Sequence, residues 1–461
     1  MIVNGILKFP PNFKFGSSVA AFQVEGDSGE RRTDWDEFLK NNPEIIKPNE
    51  KGPEWWIKGN AEKDLETMSD LGLKIQRLGF EWGRIEPTKG DINQEAILRY
   101  KEIIKKIIDL GMSPLVTLNH YVLPTWVAKG GSWESEKTIG YFNHFVKFIV
   151  NIFPEVTHWI TLNEPNVLVA SAYLSHFYPP QKNSIFSGIR AGKNILLAHR
   201  KTYTSIKKIA PLSKVGVSYA FRWTRAFNRK DVLERAYANL VNNISELSYV
   251  RGVPDKLDFI GCNFYTGYFL DLNIFKFRFR KKDAEYSSPG TILFGETKTP
   301  KAYLSDYGWP IVPNFFLDLL RKLHGASKKP IIITENGIAD KNDDKRSFYI
   351  LTHLVALWKA LQEGIPVEHY IHWSTIDNIE WTEGYKKSFG LIELDPVTGK
   401  RTLRKSALLY KDIATTGQID IERLLTTYLE GHQREVARKS IEYLLLGKVR
   451  MVSPDDKEKY L

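Results

Sequence analysis

The segment PIIITENG, at residues 330–337, combines an apolar run with a carboxylate at its end. Three isoleucines and a threonine in succession are typical of a strand covered on both faces, as in a parallel sheet wrapped by helices. The run ends at Glu335, so this carboxylate is expected at the carboxyl end of the strand. The segment THWITLNEP, at residues 157–165, repeats the pattern with Asn163 and Glu164. The sequence therefore predicts two buried strands that each deliver one glutamate to the same edge of a sheet.

Strand patterns alternate with amphipathic helical patterns along most of the 461-residue chain. Eight such alternations predict an α/β fold, a closed (β/α)8 TIM barrel with long βα loops, as one domain over residues 1–416. A doubly wound open sheet is the alternative, and no glycine-rich phosphate turn follows the first strand to support it. Residues 417–461 are predicted to form a helical extension that packs on the barrel or on a neighbouring subunit. We place the strands at residues 13–20, 74–82, 113–120, 157–164, 214–221, 257–265, 330–335 and 367–375.

The composition favours a globular protein with aromatic surfaces. Hydrophobic residues make up 43% of the chain, and its 12 tryptophans and 21 tyrosines exceed what a core requires, which suggests flat surfaces for stacking on sugars. The single cysteine, Cys262, excludes a disulfide framework and is expected to be a buried thiol in a reducing compartment. The sequence contains neither a signal-peptide pattern nor an apolar run long enough for a membrane span. We therefore expect a cytoplasmic protein.

The net charge of +11 permits an anionic partner, but the excess is spread along the chain. We therefore predict no nucleic-acid partner, while a weak association with an anionic surface stays open. The exception is FKFRFRKK, at residues 275–282, where phenylalanines alternate with basic residues at the period of a strand. An edge hairpin protected by its charges is the favoured interpretation. A contact with an anionic surface or with another subunit of a homo-oligomer is the alternative.

Histidine and tryptophan patterns give weaker indications. His369 and His372 are three residues apart on a predicted strand and therefore point to opposite faces, so no metal site is predicted. No cofactor is predicted either. Four tryptophans are candidates for outer sugar subsites, with loop packing an equally good interpretation of each: Trp55, Trp56, Trp133 and Trp309.

Two carboxylates that face one pocket suit the cleavage of an acetal, because different surroundings separate their pKa values. The protonated carboxyl donates to the leaving oxygen while the ionised one attacks the anomeric carbon. A gap of about 5–5.5 Å between the carboxyl groups gives retention of configuration, and one of about 6.5–9.5 Å leaves room for water and gives inversion. The positions of Glu164 and Glu335 in the chain are compatible with either outcome.

TLNEP (residues 161–165) and ITENG (residues 333–337) resemble the two signature segments of family 1 of the glycoside hydrolases, the retaining β-glycosidases. The resemblance extends from residue 13 to about residue 416, nearly the whole predicted barrel. It implies hydrolysis of terminal non-reducing β-glucosyl, β-galactosyl or related residues of a small-molecule or oligosaccharide substrate, through a covalent glycosyl-enzyme. It also implies that Glu335 is the nucleophile and Glu164 the acid/base.

The same resemblance implies three residues that support the nucleophile. RLGFEWGRIEP, at residues 77–87, resembles the second strand of the family and places Arg77 beside Glu335. A fixed cation there is expected to lower the pKa of the carboxyl and keep it ionised. Asn263 and Tyr265 match an asparagine and a tyrosine of the family, and the tyrosine is implied to hydrogen-bond the nucleophile.

A further set of residues is implied to bind the sugar: Gln23, His120, Asn163, Trp373, Glu380, Trp381 and Phe389. Without the resemblance, His120 would more often be a core histidine than a ligand. Glu380 is implied to bind the outer hydroxyls, and a carboxylate there would repel a 6-phosphate, so unphosphorylated sugars are favoured. The resemblance also implies a cis peptide bond between Trp373 and Ser374. In the LNHYVLP segment, Tyr121 stands where the family usually has Trp or Phe.

Two other functions are compatible with this pattern. A transglycosylase would use the same site and intermediate, with an acceptor sugar in place of water. A catalytically inactive carbohydrate-binding barrel is disfavoured, because Arg77 and both glutamates are present.

Overall fold

A computed structural model of the chain describes residues 5–26, 31–228, 230–271, 296–298 and 303–446. Eight parallel strands close into a barrel, since each strand pairs with the next and the last pairs with the first. This confirms the predicted TIM barrel. The strands are β1 (Lys14–Ser18), β2 (Ile75–Gly79), β3 (Ser113–Thr117), β4 (His158–Asn163), β5 (Lys214–Ala226), β6 (Phe259–Asp271), β7 (Ile331–Asn336) and β8 (Val367–Trp373).

Long helices alternate with the strands around the barrel. They are α1 (Asn60–Asp70), α2 (Gln94–Asp109), α3 (Glu136–Ile152), α4 (Ile185–Ile209), α5 (Val232–Val241), α6 (Pro313–Ser327), α7 (Arg346–Gln362) and α8 (Lys405–Thr416). Shorter helices lie in the connections, at Ala21–Glu25, Asp34–Asn41, Trp82–Ile85, Thr125–Lys129, Pro165–Leu168 and Leu247–Arg251. Helix α2 shows why these segments are helical: the Asn93 side chain caps it by accepting from the Ala96 N–H at 3.0 Å.

The alternation of side chains along the strands places the polar residues directly above an apolar layer. Six apolar side chains from six strands pack together inside the barrel: Ile75, Leu115, Ile160, Phe259, Ile332 and Ile371. Because side chains on one face of a strand recur every second residue, Arg77, Thr334 and Trp373 lie two positions further along β2, β7 and β8 on the same inner face. The barrel interior is therefore apolar below and polar at its carboxyl end.

Strands β5 and β6 are longer than predicted, because they remain paired beyond the barrel. The pairing continues from Trp223 with Gly267 to Ala226 with Leu270. The two strands form a ribbon that projects above the rim next to helix α5. The long connection after β6 therefore begins as this ribbon, but its FKFRFRKK segment, at residues 275–282, lies outside the described residues.

The region after the barrel forms two helices, α9 (Ile421–Tyr428) and α10 (Gly431–Leu446), where the sequence shows one continuous helical pattern. The break falls at residues 429–430, just before Gly431, whose φ of 48° is unfavourable for residues with a side chain. Leu424 and Val436 are buried in the same apolar cluster as the barrel helices. Just before α9, the strand Gln418–Asp420 pairs antiparallel with Ile6–Lys8. The division of the chain at residue 416 remains a prediction.

Gly337, at the end of β7, lies against the backbone of the neighbouring strand β8. A Cβ at this position would overlap the carbonyl oxygen of Trp373, which is a backbone atom that cannot swing away. The close approach of the two backbones therefore requires glycine. The peptide bond between Trp373 and Ser374 is cis, as the resemblance implied. In the parts of the chain that the structure describes, no helix has the length and apolar character needed to cross a bilayer.

We expect Gly337→Ala to lower the free energy of unfolding by about 1–3 kcal/mol, the usual cost of overpacking, and to reduce activity. Gly325→Ala is the matched control, because Gly325 lies in α6 with open space around it and alanine favours helices by about 0.5–1 kcal/mol. Urea unfolding midpoints and initial rates check this prediction. Equal midpoints for the two variants would contradict it.

Candidate active site

The carboxyl ends of the strands open into a pocket of about 460 Å³. This volume lies within the range of about 300–1,000 Å³ that is common for small-molecule sites. Glu164, Glu335 and Glu380 all line the pocket, so the two glutamates at the strand ends face one cavity. Six other residues singled out from the sequence line it as well: His120, Asn263, Tyr265, Trp373, Trp381 and Phe389.

Both carboxylate oxygens of Glu335 accept hydrogen bonds. Arg77 is 1% exposed, and its Nη1 donates to Glu335 Oε1 at 2.5 Å and to the Thr334 carbonyl oxygen at 3.0 Å. The Tyr265 hydroxyl donates to Glu335 Oε2 at 2.5 Å. These donors fix the direction of the carboxylate, and Arg77 neutralises its charge.

Burial and Arg77 have opposite effects on the pKa of Glu335. Burial raises the pKa of Glu335 to about 7, Arg77 and Tyr265 lower it, and the charge of Glu164 raises it. The expected lowering by Arg77 is present, but desolvation of the carboxylate outweighs it, so the net pKa of Glu335 lies above its ordinary value.

The side-chain amide of Asn163 is oriented by two groups that can only donate hydrogen bonds. Arg77 Nη2 donates to Asn163 Oδ1 at 2.7 Å and Asn263 Nδ2 does so at 3.1 Å, which turns the Asn163 NH2 group towards His120 Nε2 at 3.0 Å. Burial lowers the pKa of His120 well below its ordinary value, so the ring is neutral. Since Nε2 accepts, the proton of His120 lies on Nδ1, which is buried and has no partner among the described residues.

Glu164 has a different environment from Glu335. Asn263 Nδ2 donates to Glu164 Oε1 at 2.8 Å, and the Tyr121 hydroxyl donates to Oε2. A hydroxyl can also accept a hydrogen bond, so the Tyr121 contact is compatible with both protonation states of Glu164. Glu164 and Tyr121 have φ values of 42° and 72°, a left-handed conformation that is unfavourable for such residues and is concentrated at functional sites.

Tyr121 is the residue that sequence reasoning placed next to the site without giving it a role. The signal was its departure from the Trp or Phe of the family, since neither of those side chains carries a hydroxyl. The Tyr121 ring lies 4.9 Å from the Trp381 ring and 5.2 Å from the His120 ring, centroid to centroid. It therefore connects Glu164 with the side of the pocket that His120 and Trp381 line.

The aromatic floor and wall of the pocket form one cluster. Trp373 and Phe389 pack together, with Tyr265, Tyr307 and Trp309 against them. Trp309 stacks on Tyr307 at 4.4 Å and lines the pocket, in agreement with the outer-subsite interpretation. Trp55 and Trp133 are buried away from the pocket lining, which supports loop packing for both, and Trp56 stacks on the guanidinium of Arg84.

Gln23 is set back behind the pocket wall. Its Nε2 donates to the Ile379 carbonyl oxygen at 2.5 Å and to Asn378 Oδ1 at 3.1 Å, so the amide orientation is fixed by an acceptor. Gln23 Oε1 is buried without a partner among the described residues. Glu380, two residues from Asn378, is half-buried, and burial together with repulsion by Glu335 raises its pKa to about 8.

The described residues contain no group of histidine, cysteine and acidic side chains that could hold a metal ion. His369 lies 6.4 Å from His158, and His372 lies 5.8 Å from Tyr410, centroid to centroid, so the two strand histidines have different neighbours. Cys262 is buried, as expected, and burial raises its pKa above the ordinary range of a thiol.

The family model "Glycosyl hydrolase family 1" matches residues 6–245 and 241–419. The chain belongs to this family. β-Glucosidase A of Thermotoga maritima is 29% identical to this chain, and the match covers 90% of this chain and 99% of that protein. The β-galactosidase of Saccharolobus solfataricus is 30% identical, and the match covers 90% of this chain and 97% of that protein. Among solved structures, a β-glycosidase from Pyrococcus horikoshii superposes with a TM-score of 0.78 at 29% identity, covering 93% of this chain and 99% of that one. This family 1 enzyme is an O-glycosyl hydrolase of the β-glycosidase type, as the sequence predicted.

We expect the rate of the family 1 enzyme to depend on ionised Glu335. If Glu335 is the nucleophile, as the sequence predicts, its protonated carboxyl cannot attack below its pKa, so kcat/KM should fall as the pH falls through about 7. Tyr265→Phe removes a donor that stabilises the carboxylate, and a hydrogen bond to a charged group contributes about 1.5–3 kcal/mol. The acidic limb of the pH profile should therefore move up by about one to two units. A limb that stays in place or moves down would contradict this assignment.

Tyr121→Phe is the matched variant on the other glutamate. Loss of this hydroxyl leaves Glu164 Oε2 without its donor, so proton transfer to the leaving group should suffer most. We expect kcat/KM to fall at least about tenfold more for alkyl glycosides than for dinitrophenyl glycosides, whose leaving groups need no proton. Initial rates on both substrates measure this ratio. An equal loss on both would show that Tyr121 acts on something other than Glu164.

Proposed function

We propose that Glu335 is the nucleophile and Glu164 the acid/base of a retaining exo-β-glycosidase that removes an unphosphorylated β-glucosyl or β-galactosyl residue. The observation that carries the assignment is the contrast between the two carboxyl groups of one pocket. Glu335 contacts a guanidinium, while Glu164 contacts an amide and a phenol. The carboxyl that faces a fixed cation suits attack as an anion, and the one with neutral partners suits proton exchange.

The two steps follow from this arrangement. Glu335 attacks the anomeric carbon while Glu164 donates a proton to the leaving oxygen, which gives a covalent glycosyl-enzyme. Glu164 then removes a proton from water as the water attacks the same carbon, and Glu335 leaves as a carboxylate. Asn163 lies between Arg77 and His120, where its amide can meet the 2-hydroxyl of the sugar, a contact that strengthens in the transition state.

Two buried polar atoms without partners support a sugar site next to the glutamates. His120 Nδ1 offers a proton and Gln23 Oε1 offers a lone pair, and neither has a partner among the described residues. A buried polar atom left unpaired costs free energy, so each atom is suited to a ligand hydroxyl, His120 Nδ1 as a donor in the pocket lining and Gln23 Oε1 as an acceptor behind it. Trp373 supplies an aromatic surface for the sugar face.

The charge of the pocket supports a neutral sugar. Glu164, Glu335 and Glu380 line one cavity, and mutual repulsion contributes to raising the pKa of Glu335 and of Glu380. A phosphate group near Glu380 would add one or two negative charges to this cluster. Initial rates on nitrophenyl glycosides, with and without a 6-phosphate, test the assignment. Preference for the phosphorylated substrate would overturn it.

The nucleophile assignment predicts the behaviour of Glu335→Gly. Turnover should fall at least about 10⁴-fold, because the covalent step is lost, and added azide or formate should restore part of it by attacking from the vacated side. The glycosyl azide formed should have the α configuration, since one displacement inverts the anomeric centre. Circular dichroism verifies folding, and a folded variant that no small anion rescues would contradict the assignment.

The acid/base assignment predicts a dependence on the leaving group. Glu164→Gln should still release dinitrophenol in the first step, because this leaving group departs without protonation. The second step should then be slow, so a burst of phenol is expected, followed by slow turnover. Stopped-flow absorbance measures the burst. An equal decrease in the rate of the first step for good and poor leaving groups would contradict the role of Glu164 as the acid.

A further inference from the structure

An apolar side pocket adjoins the catalytic pocket above the barrel rim. It has a volume of about 280 Å³ and lies between the segment after Glu164, the β5–β6 ribbon and helix α5. Five residues line both cavities, so the two adjoin one another along a shared wall: Val167, Ser171, Ala220, Arg222 and Tyr268. The side pocket lies on the Glu164 side, where the leaving group departs in the proposed reaction.

The segment that forms the outer wall of the side pocket is attached by polar side chains. Glu234 accepts from the Asn228 N–H at 2.7 Å, Asn242 exchanges two hydrogen bonds with the backbone of Thr224, and Glu246 accepts from the Arg222 N–H at 2.9 Å. These polar side chains are buried against β5 and its connection to α5. Leu247 of this segment also packs into the core, whereas Leu240 and Ile244 are left on its exposed side.

Those apolar side chains surround the side pocket and its opening. Leu240 and Ile244 line the side pocket and are 53% and 55% exposed. Val169, Leu174 and Leu270 form the opposite walls. Exposed apolar side chains that line a cavity next to a catalytic site are suited to an apolar ligand, since burying each methylene contributes about 0.8 kcal/mol.

We propose that the side pocket binds a hydrocarbon chain on the leaving group, so that the substrates of this enzyme include β-glycosides with an alkyl or acyl chain. This proposal rests on the proposed function, because it needs the sugar in the catalytic pocket and the leaving group beside Glu164. The lining changes along the two cavities in the order that such a molecule needs. The catalytic pocket offers carboxylates and amides to the sugar, and Ser171, Arg222 and Tyr268 lie at the junction, where the oxygens that link sugar and chain would pass. The side pocket beyond them offers mainly apolar surface to the chain. An oligosaccharide would bring hydroxyls against these apolar walls, where they would lose hydrogen bonds to water.

The test uses the full chain and a series of alkyl glycosides. Methyl, hexyl and octyl β-glycosides of the sugar preferred in the nitrophenyl panel are used below their micelle concentrations. We expect kcat/KM to rise with chain length by up to about fourfold per buried methylene. A rate that does not depend on chain length overturns the proposal. Because the nitrophenyl glycoside measures the proposed function separately, its hydrolysis together with a flat series would reject the side pocket alone.

The variant Leu240→Gln/Ile244→Gln makes the side pocket polar without touching the catalytic residues. It should leave the rates on methyl and nitrophenyl glycosides unchanged and reduce the octyl-to-methyl ratio at least about tenfold. Leu98→Gln/Leu408→Gln is the matched control, with two exposed leucines outside the lining of both cavities, and should keep the wild-type ratio. Equal ratios in both double variants overturn the proposal.

Light scattering tests the competing possibility that a second copy of the chain covers the side pocket. A wild-type dimer that becomes a monomer in Leu240→Gln/Ile244→Gln, with an unchanged octyl-to-methyl ratio, would show that these side chains form a subunit contact and would overturn the proposal. The same mass in both proteins, with a reduced ratio in the variant, supports it.

Discussion

The buried guanidinium of Arg77 is the constraint on which the site depends. It donates to Thr117 Oγ1 at 3.2 Å as well as to Thr334, Glu335 and Asn163, and so connects β2 with β3, β4 and β7 inside the barrel. A cation with 1% exposure is stable only where its partners are in place, since breaking a buried pair costs about 3–5 kcal/mol. The same contacts that satisfy this charge fix the direction of Glu335 and the amide orientation of Asn163.

The loop that carries Glu380 and Trp381 is held in the same way. Arg404 donates to both carboxylate oxygens of Asp377 at 2.8 Å, and Asp377 also accepts from the Gly390 N–H at 2.8 Å. A bidentate pair of this kind fixes geometry as well as charge. Asp377 and Gly390 flank the loop, so the buried pair holds both of its ends next to the pocket. The pocket is therefore built from charged groups whose partners lie in the scaffold, while His120 Nδ1 and Gln23 Oε1 have no partner among the described residues.

Much of this arrangement could be predicted from the sequence, because it follows from the period of a strand. The inner position of Arg77 and the strand-end positions of Glu164 and Glu335 require only that side chains alternate and that parallel strands end at one rim. The pKa of Glu335 could not be predicted, since it is a balance between burial and Arg77 that depends on how much water reaches the carboxyl. The contact between Tyr121 and Glu164 requires a left-handed backbone at both residues, and neither is glycine.

The extended pairing of β5 and β6 could not be predicted from the sequence either, and the side pocket depends on it. The residues beyond the rim, from Trp223 to Ala226, carry no apolar alternation that one-sided burial would produce, so a strand pattern cannot be recognised there. Pairing continues because the two backbones satisfy each other, and the ribbon then presents backbone groups of Arg222 and Thr224 to the side chains of Glu246 and Asn242. Since these polar contacts help to hold the following segment, Leu240 and Ile244 can stay outside the core. A barrel whose rim is extended by a paired ribbon can therefore carry an apolar cavity beside a charged one, each supported by hydrogen bonds that belong to the scaffold.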